Sequence, residues 1–399
     1  MKNNWKKNRY VPLIASSPKG FTLIELIIVM AIFMVVIIIS SKAFNTILSM
    51  STQQTKSSES DTQGVIGLEL LRLDLEHAGY GLPSVLSFIA DFDEATVSNL
   101  APGIDTKDFN DKYNASSDTN KVPRAVQAAA STTDGRDYLV IKSTLAGMSE
   151  TTKKWAYVEG VGSDSVITPW GANNFIAGER VVTIDSRTKR LIGTSMTSAD
   201  CSYSIPDDMK PPDTGTANFQ PQNDTDVFVL YGVSPTSDLI APYNRVDYYV
   251  KRPTSDSDIP ARCAKGTGGK PGTGILYKAV MKHSDGAFIQ YPLVECVADM
   301  QVVFNVAADG VNGVDVDESG LTGLSAKEIR QQLKMMKVFI VAHEGGKDSG
   351  YNYASQAIDV GEGSGRTLDL KNDVVGSDDY KNYRWKTYKL VVLPKNINF

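Results

Sequence analysis

The sequence predicts an α+β fold, in which a long N-terminal α-helix packs on a mainly antiparallel β-sheet head with long loop insertions. Three observations support this prediction. Residues 21–39 form an almost unbroken apolar run, and leucines recur at helical spacing just before Gly79. The rest of the chain alternates between β-branched or aromatic segments of period two and stretches rich in turn residues.

The apolar run FTLIELIIVMAIFMVVIII (residues 21–39) is long enough to cross a membrane. Seventeen of its nineteen residues are apolar, and Thr22 and Glu25 are the exceptions. About 20 apolar residues at a rise of ~1.5 Å span a hydrocarbon core of ~30 Å. Residues 1–20 contain five basic residues and no acidic residue. We therefore expect the N-terminus to stay in the cytoplasm and residues 40–399 to cross the membrane.

Two ordinary interpretations of this segment are a cleaved signal peptide and an uncleaved anchor. The sequence Ser41-Lys42-Ala43 could serve as the small-residue cleavage site of a signal peptide. Both interpretations leave Glu25 unexplained, because a carboxylate inside a membrane-spanning segment usually has a cationic partner.

A second helical segment follows the apolar run. Leu68, Leu71, Leu75 and Ala78 are spaced at i, i+3, i+7 and i+10, which places them on one face of a helix. Gly79 and the glycine and proline that follow it predict the end of that helix. We expect the leucine face to pack against the globular body.

The head that follows Pro83 is predicted to be a sheet, because its apolar segments have the strand period and no series of strand–helix–strand units occurs. The predicted strands are Asp137–Thr144, Glu179–Asp185, Asp226–Val233, Arg245–Val250, Ile275–Val280, Met300–Asn305, Met336–Glu344 and Arg384–Leu393. Polar stretches between them predict surface loops at about 99–123, 194–225, 252–274, 309–325 and 345–382.

The charge of the chain argues against a nucleic-acid partner. The 399 residues include 41 basic and 46 acidic side chains, and five of the basic ones lie in residues 1–20. The remaining chain therefore carries 36 basic against 46 acidic residues, a net charge of −10. Binding to nucleic acid requires positive charge at the phosphates, and nothing in the sequence indicates a basic patch.

Three cysteines in an extracytoplasmic head predict one disulfide. Three pairings are open to Cys201, Cys263 and Cys296, and the sequence does not select one. We favour Cys201–Cys263, because this bond would join two loops while Cys296 lies in an apparent strand. Cys296 is then unpaired, or the alternative partner.

An acidic loop could supply oxygen ligands to Ca²⁺ through Asp309, Asp315 and Asp317. Its spacing differs from that of an EF-hand, and the alternative interpretation is a solvated acidic loop. We expect no cofactor and no metal beyond this weak calcium candidate.

No catalytic motif indicates an enzyme. The chain has no G-x-S-x-G sequence, and His343-Glu344 lacks the second histidine of a zinc-protease motif. We therefore expect a protein that is not an enzyme.

The sequence KGFTLIE (residues 19–25), followed by the apolar run, resembles the class III leader and cleavage site of type IV prepilins. The resemblance implies that a prepilin peptidase cuts between Gly20 and Phe21 and that Phe21 is N-methylated. It also implies that Glu25, the fifth residue of the mature chain, takes part in subunit assembly. A neighbouring subunit's amine would neutralise this carboxylate in an apolar fibre core.

Three further stretches are similar to PilW-type minor pilins. They are LRLDLEHAGYG (residues 71–81), YPLVECVADMQ (residues 291–301) and YRWK (residues 383–386), whereas the ending PKNINF departs from the family pattern. The resemblance implies a leader at residues 1–20, a helix at 21–79 whose first part (21–39) is the transmembrane segment and fibre core, and a periplasmic or extracellular head at 80–399.

The function implied by this resemblance is that of a minor pilin that helps to initiate pilus assembly and lies at or near the fibre tip. The implied partners are the prepilin peptidase, other major and minor pilins, the inner-membrane assembly platform and inner-membrane lipid. Two alternatives stay open, namely a minor pseudopilin of a type II secretion system and a tip adhesin on the same scaffold. The implied location is the inner membrane with the head in the periplasm, followed by the pilus fibre at the cell surface.

Overall fold

The computed structural model describes residues 20, 22–86, 94–111, 122–169, 174–193, 201–214, 218–236 and 238–397. For 46, 49–50, 52–54, 56–63 and 256 it describes the backbone only. Phe21, the predicted methylation position, lies outside the described residues.

The described chain confirms the α+β fold class. One long helix, α1, runs from Leu23 to Glu76, and a second helix, α2, runs from Ala326 to Gln332. The strands of the described chain are β1 Val85–Leu86, β2 Val126–Ala130, β3 Asp137–Ser143, β4 Trp155–Glu159, β5 Val166–Pro169, β6 Arg180–Asp185, β7 Arg190–Leu191, β8 Ser202–Ser204, β9 Phe228–Ser234, β10 Asn244–Lys251, β11 Gly274–Met281, β12 Phe288–Val306, β13 Val314–Val316, β14 Leu333–Glu344, β15 Ala357–Val360, β16 Arg366–Asp369 and β17 Arg384–Val392.

These strands form a large sheet, a small sheet and a two-stranded hairpin. The large sheet has the order β17-β14-β12-β11-β10-β3-β2, with β13 added beside β12. The small sheet has the order β1-β7-β6-β9-β4-β5, with β8 beside β6, and β15 pairs with β16. Every pairing is antiparallel except that of β1 with β7, so the predicted mainly antiparallel head is confirmed.

The chain divides into two compact units, the first ending at Thr55 and the second beginning at Lys56. The C-terminal part of α1 therefore belongs to the same unit as the sheets. Leu71, Leu75 and Ala78 are 0% exposed, and the leucines share one hydrophobic core with residues of both larger sheets. Gly67 lies so close to the large sheet that a Cβ there would be 2.7 Å from the carbonyl oxygen of Leu293. The predicted packing of the leucine face is confirmed.

All eight predicted strands occur, with shifted ends. The largest difference is β12, which begins at Phe288 and not at Met300. Its first half contains Pro292 and two positions where its register with neighbouring strands shifts. These irregularities break the alternation by which a strand is recognised in sequence.

The expected Cys201–Cys263 bond is wrong, because the disulfide joins Cys263 to Cys296. Cys296 lies in β12 beside a shift in register and has a backbone φ of +57°. At such a bulge the side chain no longer follows the regular alternation of the strand, and here it packs with Ile259 and Ile275 around the bond. Cys201 is buried in the main core, apart from this cluster.

Candidate functional site

The start of α1 carries the first site residues. The backbone N–H of Thr22 donates to Oε2 of Glu25 at 2.9 Å, and the Thr22 hydroxyl donates to the same oxygen at 2.8 Å. In return the Glu25 N–H donates to the Thr22 hydroxyl at 3.3 Å. This reciprocal pattern is a capping box, in which an N-cap residue and the third helical residue satisfy each other's backbone donors.

The capping box gives Glu25 a partner within its own chain, which the sequence analysis missed. The signal was the spacing T-x-x-E just before an apolar run. The carboxylate lies at the positive end of the helix dipole, where a negative charge is favourable. Glu25 is therefore oriented by a residue of its own chain.

Nothing in the described part of the chain requires glycine at position 20. The residue is exposed, and a Cβ added to it would meet no atom within 4 Å. The described part of the fold therefore leaves this position open to other residues.

The segment Leu23–Asn45 of α1 is the helix in the described chain that is long and apolar enough to cross a membrane. Its mean hydropathy is 3.1, and none of its residues is buried. From Leu23 to Ile39 the large apolar side chains are 50–76% exposed. An apolar surface of this extent calls for lipid or another apolar partner.

A largely buried carboxylate, that of Asp74, lies between the C-terminal part of α1 and the large sheet, and its side chain is 12% exposed. One oxygen of Asp74 accepts a hydrogen bond from the Tyr248 hydroxyl at 2.5 Å and lies 2.6 Å from Nζ of Lys278. Burial raises the pKa of Asp74, while the Lys278 ammonium opposes that shift. Asp74 belongs to the stretch that resembles PilW-type minor pilins, and its role was not predicted.

The turn Ala-Gly-Tyr-Gly that ends α1 is fixed against β3. The N–H of Gly79 donates to the carbonyl of Lys142 at 3.0 Å, and the carbonyl of Tyr80 accepts from the N–H of Thr144 at 2.9 Å. Gly81 has a φ of +67°, and a Cβ there would be 2.4 Å from the hydroxyl oxygen of Thr144. Close approach and a left-handed backbone both require glycine at this position.

The three calcium candidates do not come together as a metal site. Asp309 accepts hydrogen bonds from two backbone N–H groups of its own turn, Asp315 pairs with Lys337, and Asp317 caps a short helical turn. Within the residues that the structure describes, no group of three metal-ligating side chains could hold a metal ion. Each aspartate thus has a local role in its loop.

Two histidines lie in the head, both buried. Burial lowers the pKa of His283 to about 4 and that of His343 to about 3. His343 accepts a hydrogen bond from the N–H of Ala264 at 2.9 Å and packs against Tyr383 and Trp385. Both rings are therefore neutral at physiological pH.

Comparison with known proteins adds one finding at the same N-terminal segment. A family model described as the prokaryotic N-terminal methylation motif matches residues 16–41. The chain carries a prepilin-type leader motif. In this respect it resembles type IV pilin-like proteins, a group that includes the pseudopilins. The leader motif and the apolar helix are consistent with a chain that is anchored in an inner membrane and has a periplasmic head. No curated protein and no solved structure matches the chain.

Proposed function

We propose that this chain is a minor subunit of a type IV pilus, of the PilW type, that helps to initiate assembly and lies at or near the fibre tip. The observation that carries the proposal is the methylation motif at residues 16–41, followed directly by the exposed apolar helix Leu23–Asn45. The proposed role is structural and includes no catalytic step.

In this proposal the chain is processed before it assembles. A prepilin peptidase cuts between Gly20 and Phe21, and Phe21 receives the methyl group. Residues 1–20 are the leader, 21–79 the helix and 80–399 the head. Gly20 is exposed, and a Cβ there would meet no described atom within 4 Å. This supports the assignment, because the peptidase needs access to the bond.

Glu25 then has two successive partners. Before assembly its carboxylate is held by the Thr22 capping box. In the fibre the methylated amine of a neighbouring subunit approaches it, because a carboxylate in an apolar environment is costly without a positive charge. The partners are other pilins, the inner-membrane assembly platform and membrane lipid.

A tip position suits the bulk of the head. The residues that follow α1 form two sheets, of seven and eight strands. A head of this size is easier to place at the end of a fibre than in a dense helical array. The alternatives are a minor pseudopilin of a type II secretion system, which shares the leader motif, and an adhesin at the tip.

The experiment that tests the proposal is mass spectrometry of the N-terminal peptide, in sheared surface fibres and in the membrane fraction. A chain that begins at methylated Phe21 in the fibres is the expected result. The same chain confined to membranes would favour the pseudopilin. A chain that begins after Ala43, or still at Met1, would contradict the pilin assignment.

A processing variant provides the matched control. Gly20→Asp should leave the chain uncut, because the peptidase reads this position. A side chain there would meet no described atom within 4 Å, so we expect no effect on folding of the head. Normal cleavage of Gly20→Asp would contradict the leader assignment.

A further inference from the structure

A pocket in the head lies where the end of α1 meets α2 and the turn between β6 and β7. Its volume is about 680 Å³, within the range of ~300–1,000 Å³ that is typical of small-molecule sites. Lys189, Lys327 and Arg330 line it together with Tyr80, Tyr231 and Asn396. None of its lining residues belongs to the proposed cleavage site or to the start of α1.

The charge of the pocket is opposite to that of the chain. Three cationic side chains line it, and none of its described lining residues is an aspartate or glutamate, although acidic residues outnumber basic ones in the whole sequence. Lys327 and Arg330 are three residues apart on α2, which places them on one face of the helix. Lys189 lies in the β6–β7 turn, where its carbonyl accepts hydrogen bonds from the N–H groups of Ser84 and Val85.

Arg330 is the most informative of the three cations. It is half-buried, and its guanidinium donates to the carbonyl of Pro83 at 3.3 Å. Burial lowers its pKa, and no described carboxylate offsets that effect. A guanidinium withdrawn from water normally pairs with a carboxylate or a phosphate, for which its fork of donors is suited.

The remaining lining groups are aromatic or uncharged donors. The rings of Tyr80 and Tyr231 meet edge to face, with centroids 5.2 Å apart. Burial raises the pKa of both phenols, so both hydroxyls keep their protons and can donate. The Nδ2 atom of Asn396 is buried and has no hydrogen-bond acceptor among the described residues, although a buried donor is normally satisfied.

We propose that this pocket binds an anionic sugar, whose carboxylate or phosphate pairs with Arg330 and the two lysines. The ring of the sugar lies against the two tyrosines, and its hydroxyls accept from the phenols. A concave pocket of this volume favours a compact ligand over an acidic peptide, which would need an extended groove.

The test is isothermal titration calorimetry on the full chain in detergent micelles. The probes are trigalacturonate for the carboxylate source, galactose 6-phosphate for the phosphate source, and neutral galactotriose. We expect one or both anionic sugars to bind and the neutral sugar not to bind. Raising NaCl from 50 to 500 mM should weaken binding at least tenfold, because the attraction between charges is screened.

Arg330→Gln and, separately, Lys327→Gln should each weaken binding at least tenfold. Lys327 is an exposed residue of α2, so its replacement tests the pocket without disturbing the fold. Lys270→Gln is the matched control, since it removes one exposed lysine outside the pocket.

Four results would overturn the inference. The first three are binding of neither anionic sugar, equal binding of galactotriose, and an equal loss of affinity in the Lys270→Gln variant. Binding of hexaglutamate in the absence of sugar binding would replace the sugar by an acidic peptide and would also overturn it.

Discussion

Removal of the Asp74 side chain should release the C-terminal part of α1 from the head. Lys278 is 3% exposed, and Asp74 is its charge partner at 2.6 Å. In Asp74→Ala this ammonium stays buried without that carboxylate, and the Tyr248 hydroxyl loses its acceptor. Breaking a buried ion pair from one side costs about 3–5 kcal/mol. We therefore expect the free energy of unfolding to fall by about that amount.

The charge pair itself should contribute little, because burial of Asp74 opposes its ionisation. Replacing both members of a buried pair by apolar residues of similar volume is often neutral or stabilising. The double variant Asp74→Leu/Lys278→Met should therefore recover most of the stability that the single variant loses. Glu69→Ala is the control on the same helix, since its pair with Arg72 is exposed and contributes only ~0.2–0.5 kcal/mol.

The assay is urea unfolding of the full chain in detergent, followed by tryptophan fluorescence and by far-UV circular dichroism. The reasoning would be refuted if Asp74→Ala changed the unfolding midpoint no more than Glu69→Ala. It would also be refuted if the double variant were as unstable as the single one.

Three further predictions concern other parts of the chain. The Glu25→Ala variant should be cut normally but enter fibres poorly, because in the proposed fibre the amine of a neighbouring subunit loses its counter-charge. Normal incorporation, measured by immunoblotting of sheared fibres, would contradict the assembly role of Glu25. Replacing Cys263 and Cys296 by serine should lower the free energy of unfolding by about 3–4 kcal/mol, the loop-closure value for their separation of 33 residues. In the wild-type chain, alkylation of thiols under denaturing but non-reducing conditions should label only Cys201. Burial raises the pKa of Asp137 to about 8, so the folded state keeps a proton that the unfolded state loses above about pH 4. The stability of the wild-type chain relative to Asp137→Asn should therefore fall by up to about 1.4 kcal/mol per pH unit between pH 4 and pH 8, and level off above pH 8. A stability difference that stays constant across that range in pH-dependent unfolding would show that Asp137 is ionised in the folded state.

The sequence was sufficient for features that depend on local pattern. The apolar run, the leucine face that ends at Ala78 and the eight predicted strands all follow from a period of 3.6 or 2 within a few residues. The leader motif is equally local, because it needs only the order of residues around Gly20. The capping box between Thr22 and Glu25 could have been predicted in the same way.

The features that were missed depend on residues distant in sequence. Asp74 and Tyr248 are 174 positions apart, and no pattern in either segment indicates that they meet. Cys296 pairs with Cys263 because a bulge in β12 interrupts the strand, and bulges depend on the register with neighbouring strands. Lys142 is fully buried in β3 and lies 2.7–2.8 Å from carboxylates of two other segments, although its position in an alternating strand gave no sign of this.

The compact unit that contains the sheets begins at Lys56, so it includes the C-terminal part of α1. We expect the head to need this part of the helix in order to fold. A truncated chain that begins at residue 80 would lack Leu68, Leu71 and Leu75, each worth about 1.5–3 kcal/mol when buried. It would also leave Lys278 without Asp74. These losses together approach the ~5–15 kcal/mol of net stability that a folded protein has. We therefore expect residues 56–399 to fold as a soluble protein and residues 80–399 to aggregate or stay unfolded. A sharp, well-dispersed NMR spectrum from residues 80–399 would show instead that the helix only rests on a head that is stable by itself.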